Sequence, residues 1–176
     1  MSRQVALLRG INLGTRNRVA MPQLRELLDD LGYGDVRTHL QSGNAVFTAA
    51  TRPDRTASRI AAALADRLDL DIPVLVRTDK ELAAVVAADP LGEVADDPAR
   101  YLVQFHAAEP DPGQLANLRP DDFTPERYAV RGREIFLWLP NGVHSAKLPP
   151  ALTRRGVTGT ARNWKTVTAL LDLVNN

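Results

Sequence analysis

The chain has 176 residues, enough for one compact domain or two small ones, and its 44% hydrophobic and 24% charged residues are typical of a folded globular protein. No stretch is long and apolar enough to cross a bilayer, and the apolar residues before Arg9 are too few for a signal peptide. Cysteine is absent, which excludes disulfides, thiolate nucleophiles and cysteine-ligated zinc. We therefore expect a cytoplasmic protein that does not enter a membrane.

The net charge is only +1, but the charges are unevenly distributed. Residues 1–50 contain six Lys or Arg and four Asp or Glu, residues 51–111 contain seven and twelve, and residues 112–176 contain nine and five. If the two ends of the chain meet in the folded protein, they form a basic patch. The fluctuations that any mid-sized domain shows explain the distribution equally well.

The first 78 residues predict the element order β-α-β-β-α-β. The apolar strand Gln4 to Leu8 runs into a loop with glycines at positions 10 and 14, and a helix with leucines at helical spacing follows from Met21. Two short strands joined by Gln41-Ser42-Gly43-Asn44 predict a hairpin, and a second helix and a strand complete this half. This is the split-βαβ or ferredoxin-like order.

In that topology the first and third strands are central and antiparallel. The end of the first strand and the start of the third therefore lie at the same edge of the sheet. We expect the loop Arg9 to Asn12 to face the turn Gln41 to Asn44, with the start of the first helix beside them.

Residues 79–176 predict a second α/β half whose element order, β-α-β-β-α with a further C-terminal helix, is related to the first. Asp79 is the expected N-cap of the helix that opens it. Strands are expected at 101–105, 127–130 and 134–139, and short helices at 112–118 and from about Ser145. We predict an α+β protein with a ferredoxin-like subdomain at 1–78 and a second α+β subdomain at 79–176, packed as one compact unit.

The loop from Gly10 to Gly14 can bring backbone N–H groups close to a ligand, because glycine tolerates the dihedral angles this needs. The start of a nearby helix adds partial positive charge. The loop lacks the Gly-Lys-Ser/Thr ending of a phosphate-binding P-loop and the third glycine of a dinucleotide fingerprint, so the sequence predicts no cofactor. On spacing alone, a flexible connection between strand and helix is the better interpretation.

Other polar residues of interest have equally plain structural explanations. Gln41, Ser42 and Asn44 can bind neutral or anionic ligands, but the same residue types make good hairpin turns, and Ser42 has no evident base nearby. Arg162 can hold phosphate and Asn163 can cap the last helix. Trp164, between Asn163 and Lys165, is better interpreted as a core anchor than as a platform for stacking bases.

The ionisable residues outside these segments do not predict catalysis. The three histidines are scattered without the spacing of metal ligands, so we expect no metal site. The acid pairs Asp96-Asp97 and Asp121-Asp122 are interpreted as solvated loop residues. No carboxylate pair or Ser/His/Asp order stands out for acid–base chemistry.

Five motifs in order resemble the bacterial "domain of unknown function 1697" family: LLRGINLG from Leu7, MP with LR from Met21, QSGN from Gln41, SAKL from Ser145 and TARNWKTV from Thr160. The resemblance spans nearly the whole chain. The family typically has a second glycine where this chain has Thr15, and often asparagine where it has Lys165, so the resemblance implies no role for those two positions. The resemblance implies a cytoplasmic α+β protein without an established activity.

The resemblance also favours the interpretation that the polar residues in these motifs form one shared site. Packing alone is a poor reason for such residue types in a motif. The candidate ligand-binding residues, including the two loop glycines, are Arg9, Gly10, Asn12, Gly14, Gln41, Ser42, Asn44, Lys147, Arg162 and Asn163.

Three functions are compatible with the sequence. The first is the binding of an anionic ligand, a phosphorylated metabolite or a nucleic acid, although near-zero net charge and 5% aromatic residues weigh against a dedicated nucleic-acid binder. The second is a small enzyme acting on a phosphate ester or nucleotide, in which Arg9 and Lys147 stabilise developing charge and Ser42 or a bound water is the nucleophile. The third is a structural or partner-binding protein without a ligand.

Overall fold

The computed structural model describes every residue from Met1 to Asn176 and contains eight strands, six α-helices and one short 3-10 helix. The predicted α+β class is confirmed. The chain divides into two units: the first comprises Met1–Ala83 and Ala169–Asn176, and the second comprises Ala84–Thr168. None of the helices combines the length and the apolar composition that a membrane span requires.

The first unit contains one four-stranded antiparallel sheet with the strand order β2-β3-β1-β4. Its central strands are the first and the third in sequence, as the predicted topology requires. The elements from this part of the chain, of which α3 continues into the second unit, are β1 Ser2–Leu8, α1 Met21–Asp30, β2 Gly34–His39, β3 Asn44–Ala49, α2 Pro53–Leu68, β4 Val74–Thr78 and α3 Asp79–Ala88.

One face of this sheet packs against α1 and α2. Alternate residues of a strand point to the same face, so Ala6, Leu8 and Phe47 join the leucines of the two helices in one core cluster. Val5 and Leu7, which alternate with Ala6 and Leu8 along β1, are also buried. A central strand buried on both faces explains why β1 is continuously apolar in sequence.

Helix α3 begins with a capping box, and its N-cap is Thr78. Thr78 Oγ1 accepts the backbone N–H of Glu81 at 3.1 Å, and Glu81 Oε2 accepts the backbone N–H of Thr78 at 2.8 Å. The prediction of Asp79 as the N-cap was wrong by one position. Asp79 lies in the first turn, where its negative charge suits the positive end of the helix dipole.

The second unit contains a four-stranded antiparallel sheet with the order β6-β7-β5-β8. This is the strand order of the first sheet with each strand replaced by its counterpart, so the two halves are more alike than the sequence suggested. The elements of this part of the chain, of which α6 continues into the first unit, are β5 Tyr101–Phe105, α4 Pro112–Leu115, a 3-10 helix Pro120–Phe123, β6 Arg127–Arg131, β7 Glu134–Trp138, α5 Leu148–Arg154, β8 Thr160–Asn163 and α6 Trp164–Asn175.

Two predictions for the second half were inexact. Strand β8 was not predicted, because it has only four residues and its polar side chains hide the alternation of buried Thr160 and Arg162 with more exposed neighbours. Helix α5 begins at Leu148 and not near Ser145, with Pro149 in its first turn, where proline needs no hydrogen-bond donor.

Trp164 packs in an aromatic cluster of the second unit. Its ring stacks on Tyr101 with 4.8 Å between ring centroids and 20° between ring planes, and Phe136 lies 6.4 Å from it in a tilted arrangement. The interpretation of Trp164 as a core anchor is therefore supported by its contacts.

Candidate functional site

The loop between β1 and α1, residues 9–19, is held by hydrogen bonds to itself. The Asn12 backbone N–H donates to Asn17 O at 3.0 Å, and Asn17 Nδ2 donates to Gly10 O at 3.1 Å. The Arg16 N–H donates to Leu13 O at 3.2 Å and closes a tight turn between them. Four residues have the positive φ that glycine and asparagine tolerate best: Gly10, Asn12, Gly14 and Asn17. The loop thus has a defined, hydrogen-bonded conformation.

The side chain of Asn12 ties this loop to the neighbouring turn. Its Nδ2 donates to Val19 O at 2.9 Å and to Gln41 O at 2.8 Å, and its Oδ1 accepts the Val19 N–H at 2.9 Å. Both amide hydrogens and the amide oxygen therefore serve the backbone. This geometry makes Asn12 a positioning residue for the loop.

The turn between β2 and β3, residues 40–43, lies against the end of β1. The Leu8 N–H donates to Gly43 O at 2.9 Å, and Gly43 has a φ of +90°. A Cβ at Gly43 would lie 2.6 Å from Ile11 Cδ1 and 2.9 Å from Leu8 Cβ, so only glycine fits. The structure therefore brings the glycine loop and the Gln41–Asn44 segment together at one edge of the first sheet.

Asn44 is fully buried at this edge, whereas Gln41 and Ser42 are exposed. Asn44 Nδ2 donates to His39 O at 2.7 Å and to Ser42 Oγ at 3.0 Å. These two hydrogen bonds join the two ends of the turn. Of the polar residues in this turn, the exposed Gln41 side chain is the one best placed to meet a ligand.

Three arginines of the loop, Arg9, Arg16 and Arg18, are exposed, and their guanidinium groups make no hydrogen bond or ion pair within the chain. The first 25 residues contain no Asp or Glu. The other two arginines of this stretch do have partners: Arg3 donates to Val174 O and Arg25 donates to Thr38 Oγ1.

The chain segment that pairs with the backbone of Arg9 is acidic. The Arg9 backbone N–H donates to Pro73 O at 3.0 Å, and exposed Asp71 lies two residues before that proline. The charged residues of the loop itself are all cations, and exposed Asp69 and Asp71 lie in the segment that ends at Pro73.

The candidate residues of the second unit have different surroundings. The backbone N–H groups of Lys147 and Leu148 each donate to the carboxylate of buried Glu126, at 2.8 Å, so the start of α5 already has an anion. The Lys147 side chain itself is exposed.

Arg162 and Asn163 end strand β8. The Arg162 guanidinium is buried, which lowers its pKa to about 10, and it donates to Ala161 O at 2.9 Å. Asn163 Oδ1 accepts the Thr166 N–H at 3.0 Å and caps α6, as expected from the sequence. Both residues thus have structural partners in the second unit.

A surface cavity of about 460 Å³ in the second unit contains none of the predicted site residues. Glu126, Tyr128 and Asp121 line it, and the Glu126 carboxylate is occupied by the start of α5. No group of three or more His, Asp or Glu side chains is arranged to hold a metal ion.

Sequence reasoning did not select four exposed residues at the edge of the first sheet: Leu13, Arg16, Arg18 and Leu40. The acid-free run of 25 residues is the signal that would have drawn attention to the arginines. The two leucines carry no such signal, because only their exposure sets them apart.

Comparisons with known proteins give the family and the fold. The family described as "Protein of unknown function (DUF1697)" matches residues 1–136. The fold is similar to that of the conserved bacterial protein SP0830 from Streptococcus pneumoniae, with a TM-score of 0.78 over 98% of each chain, and at 22% identity this likeness establishes the fold alone. A comparison with curated proteins finds no match. The chain therefore belongs to the DUF1697 family of proteins of unknown function.

Proposed function

We propose that the protein binds the phosphate groups of an anionic ligand through the loop at residues 9–19 of its first unit. The observation that carries this proposal is the presence of Arg9, Arg16 and Arg18 on one ordered loop, all exposed and none with a partner in the chain. Guanidinium groups match the oxygen geometry of phosphate and remain charged at neutral pH. Three positive charges on one short loop repel one another, and a bound anion offsets that repulsion.

The backbone of the loop supports the same proposal. The N–H groups of Gly10 and Gly14 donate to no acceptor within the chain, which leaves them available to anionic oxygens. Because internal hydrogen bonds already order the loop, a ligand loses less affinity to the entropy of ordering it. Gln41, at the neighbouring turn, adds an exposed neutral amide.

Binding suits this edge better than catalysis does. The ionisable side chains of the loop are all arginines, which do not exchange protons at neutral pH. The roles of Asn12 and Asn44 are to hold the loop and the turn in place. The proposal rests on the first unit, because Arg162 and Asn163 have structural partners in the second.

Binding of tripolyphosphate tests the proposal. In a titration followed by ¹H–¹⁵N NMR at low ionic strength, we expect the largest shifts at the amides of residues 9–19 and 41–43. Replacing Arg9, Arg16 and Arg18 together by alanine should weaken binding by about a hundredfold or more, since each charge-assisted contact contributes about 1–2 kcal/mol.

The matched control replaces Arg55, Arg127 and Arg154, three exposed arginines that also have no hydrogen bond or ion pair through their side chains. It changes the net charge equally, so it should retain nearly all of the affinity. Equal losses in the two triple variants, or shifts centred elsewhere, would contradict the proposal.

A further inference from the structure

We infer that the phosphate-bearing ligand is a single-stranded nucleic acid, and that Leu13 and Leu40 contact its bases. The inference rests on the proposed phosphate binding and adds to it the class of ligand. It starts from an apolar feature that a free phosphate ion does not explain.

Only four large hydrophobic side chains in the protein are strongly exposed: Met1, Leu13, Leu40 and Val143. Leu13 is 68% exposed and Leu40 is 55% exposed. They lie on the loop and on the turn that the hydrogen bond from Asn12 Nδ2 to Gln41 O joins. Two exposed leucines therefore share one edge with the three unpaired arginines.

Leucine is an unfavourable residue for the backbone conformation at position 40. Its φ is +61°, a left-handed conformation that costs a non-glycine residue about 1–2 kcal/mol. More than half of its side chain is exposed, so little burial offsets this cost. Glycine or asparagine would satisfy the turn better. A strained residue with an exposed apolar side chain points to a role outside the fold.

A single-stranded nucleic acid presents what this edge can contact. Its phosphates match the arginines, and its unstacked bases offer apolar faces and hydrogen-bonding edges. The bases of a duplex are covered by stacking and present few such faces. Gln41, next to Leu40, is exposed and can donate to or accept from a base edge.

An anionic membrane also combines charge with apolar groups, but the residues around Leu40 favour a nucleic acid. The leucine is followed by Gln41 and Ser42. Insertion of Leu40 into hydrocarbon would dehydrate the exposed Gln41 amide without giving it hydrogen-bond partners. Base edges can supply those partners.

Fluorescence anisotropy with a labelled single-stranded RNA of about 20 nucleotides tests the inference. We expect Leu13→Ser and Leu40→Gly each to weaken RNA binding by about five- to tenfold, as loss of partial leucine burial predicts. Tripolyphosphate affinity should not change in either variant. Leu40→Gly should unfold at the same or a higher temperature, because glycine relieves the strain. Val143→Ser, at an exposed site of the second unit, should leave RNA binding unchanged.

The salt dependence provides a second measurement. With three arginines on phosphates, the plot of log affinity against log salt concentration should have a slope of about −2 for a single strand. The slope should approach zero in the triple alanine variant of Arg9, Arg16 and Arg18.

Three outcomes overturn the inference. If RNA affinity survives both leucine substitutions while tripolyphosphate still binds, phosphate binding stands and the base contact fails. If vesicles containing phosphatidylserine bind more tightly than RNA and lose affinity in the leucine variants, the surface is a membrane-binding one. If neither tripolyphosphate nor RNA binds, the proposed function fails as well.

Discussion

At the scale of single residues, the asparagines of the first unit show why a polar residue in a motif is not necessarily a ligand. Asn12 accepts and donates through its side chain only to backbone groups of Val19 and Gln41. Asn44, which is fully buried, donates to the backbone oxygen of His39 and to the side-chain oxygen of Ser42. Their amides replace the regular backbone pairing that irregular segments lack.

Substitution of Asn12 by glycine should destabilise the protein by about 2–3 kcal/mol, because three hydrogen bonds are lost at about 1 kcal/mol each. Glycine keeps the left-handed backbone conformation, so the change isolates the side chain. Asn17→Gly is the matched control, since Asn17 has a similar φ but donates one exposed hydrogen bond, and it should cost less than about 1 kcal/mol. Urea unfolding measures both, and equal losses would argue against the bridging role of Asn12.

At the scale of elements, helix α5 and strand β6 are joined through one buried carboxylate. Glu126 precedes β6 and accepts the first free N–H groups of α5, those of Lys147 and Leu148. A short helix with proline in its first turn and no side-chain cap of its own depends on such a partner. Sequence motifs drew attention to Lys147, whereas the structure shows that the essential contact is made by its backbone.

We expect Glu126→Gln to lower the free energy of unfolding by about 1–3 kcal/mol. The amide retains one acceptor, but its NH₂ group faces a backbone N–H that loses its partner. Glu109→Gln provides the comparison, because Glu109 is exposed and makes no hydrogen bond or ion pair. Chemical denaturation of the two variants should separate them, and a similar small effect in both would show that the carboxylate does not support α5.

At the scale of the whole molecule, the two sheets have the same strand order, although their sequences show no residue-level repeat. Periodicity predicted most elements of both halves, because helices α1 and α2 and the central strands have strong apolar patterns. Strand β8 was missed because pairing with β5, and not its own composition, makes it a strand. With β8 included, each half has the order β-α-β-β-α-β followed by a helix.

The pH dependence of stability is a property of the whole molecule, because folding removes tyrosine side chains from water. Burial raises the pKa of Tyr101, whose hydroxyl oxygen accepts the Leu91 N–H, and burial also raises the pKa of Tyr128. The unfolded chain loses each proton near pH 10, while the folded chain retains it to higher pH. The stability that these groups contribute is therefore present below about pH 10 and is lost as the pH rises above it.

Tyr101→Phe should make this alkaline loss shallower by about 1.4 kcal/mol per pH unit. Urea unfolding of the wild type and the variant over a pH series that crosses about pH 10 gives the two slopes directly. The variant starts from a lower stability, because the Leu91 N–H loses its acceptor, so the slopes and not the absolute values are compared. Parallel pH profiles would show that Tyr101 ionises equally easily in both states.

The sequence by itself determined the α+β class, the central position of β1 and β3, and the meeting of the glycine loop with the Gln41–Asn44 turn. These follow from apolar periodicity and from the order of elements, which are properties of neighbouring residues. Only the tertiary structure decided which polar side chains are used within the fold and which remain available. Asn12, Asn44 and Asn163 bond to backbone groups, whereas Arg16, Arg18, Leu13 and Leu40 remain exposed. The physical reason is that the fold decides which distant residues come close to a side chain. Those neighbours determine whether the side chain is hydrogen-bonded, covered or exposed, and they cannot be read from positions in the sequence.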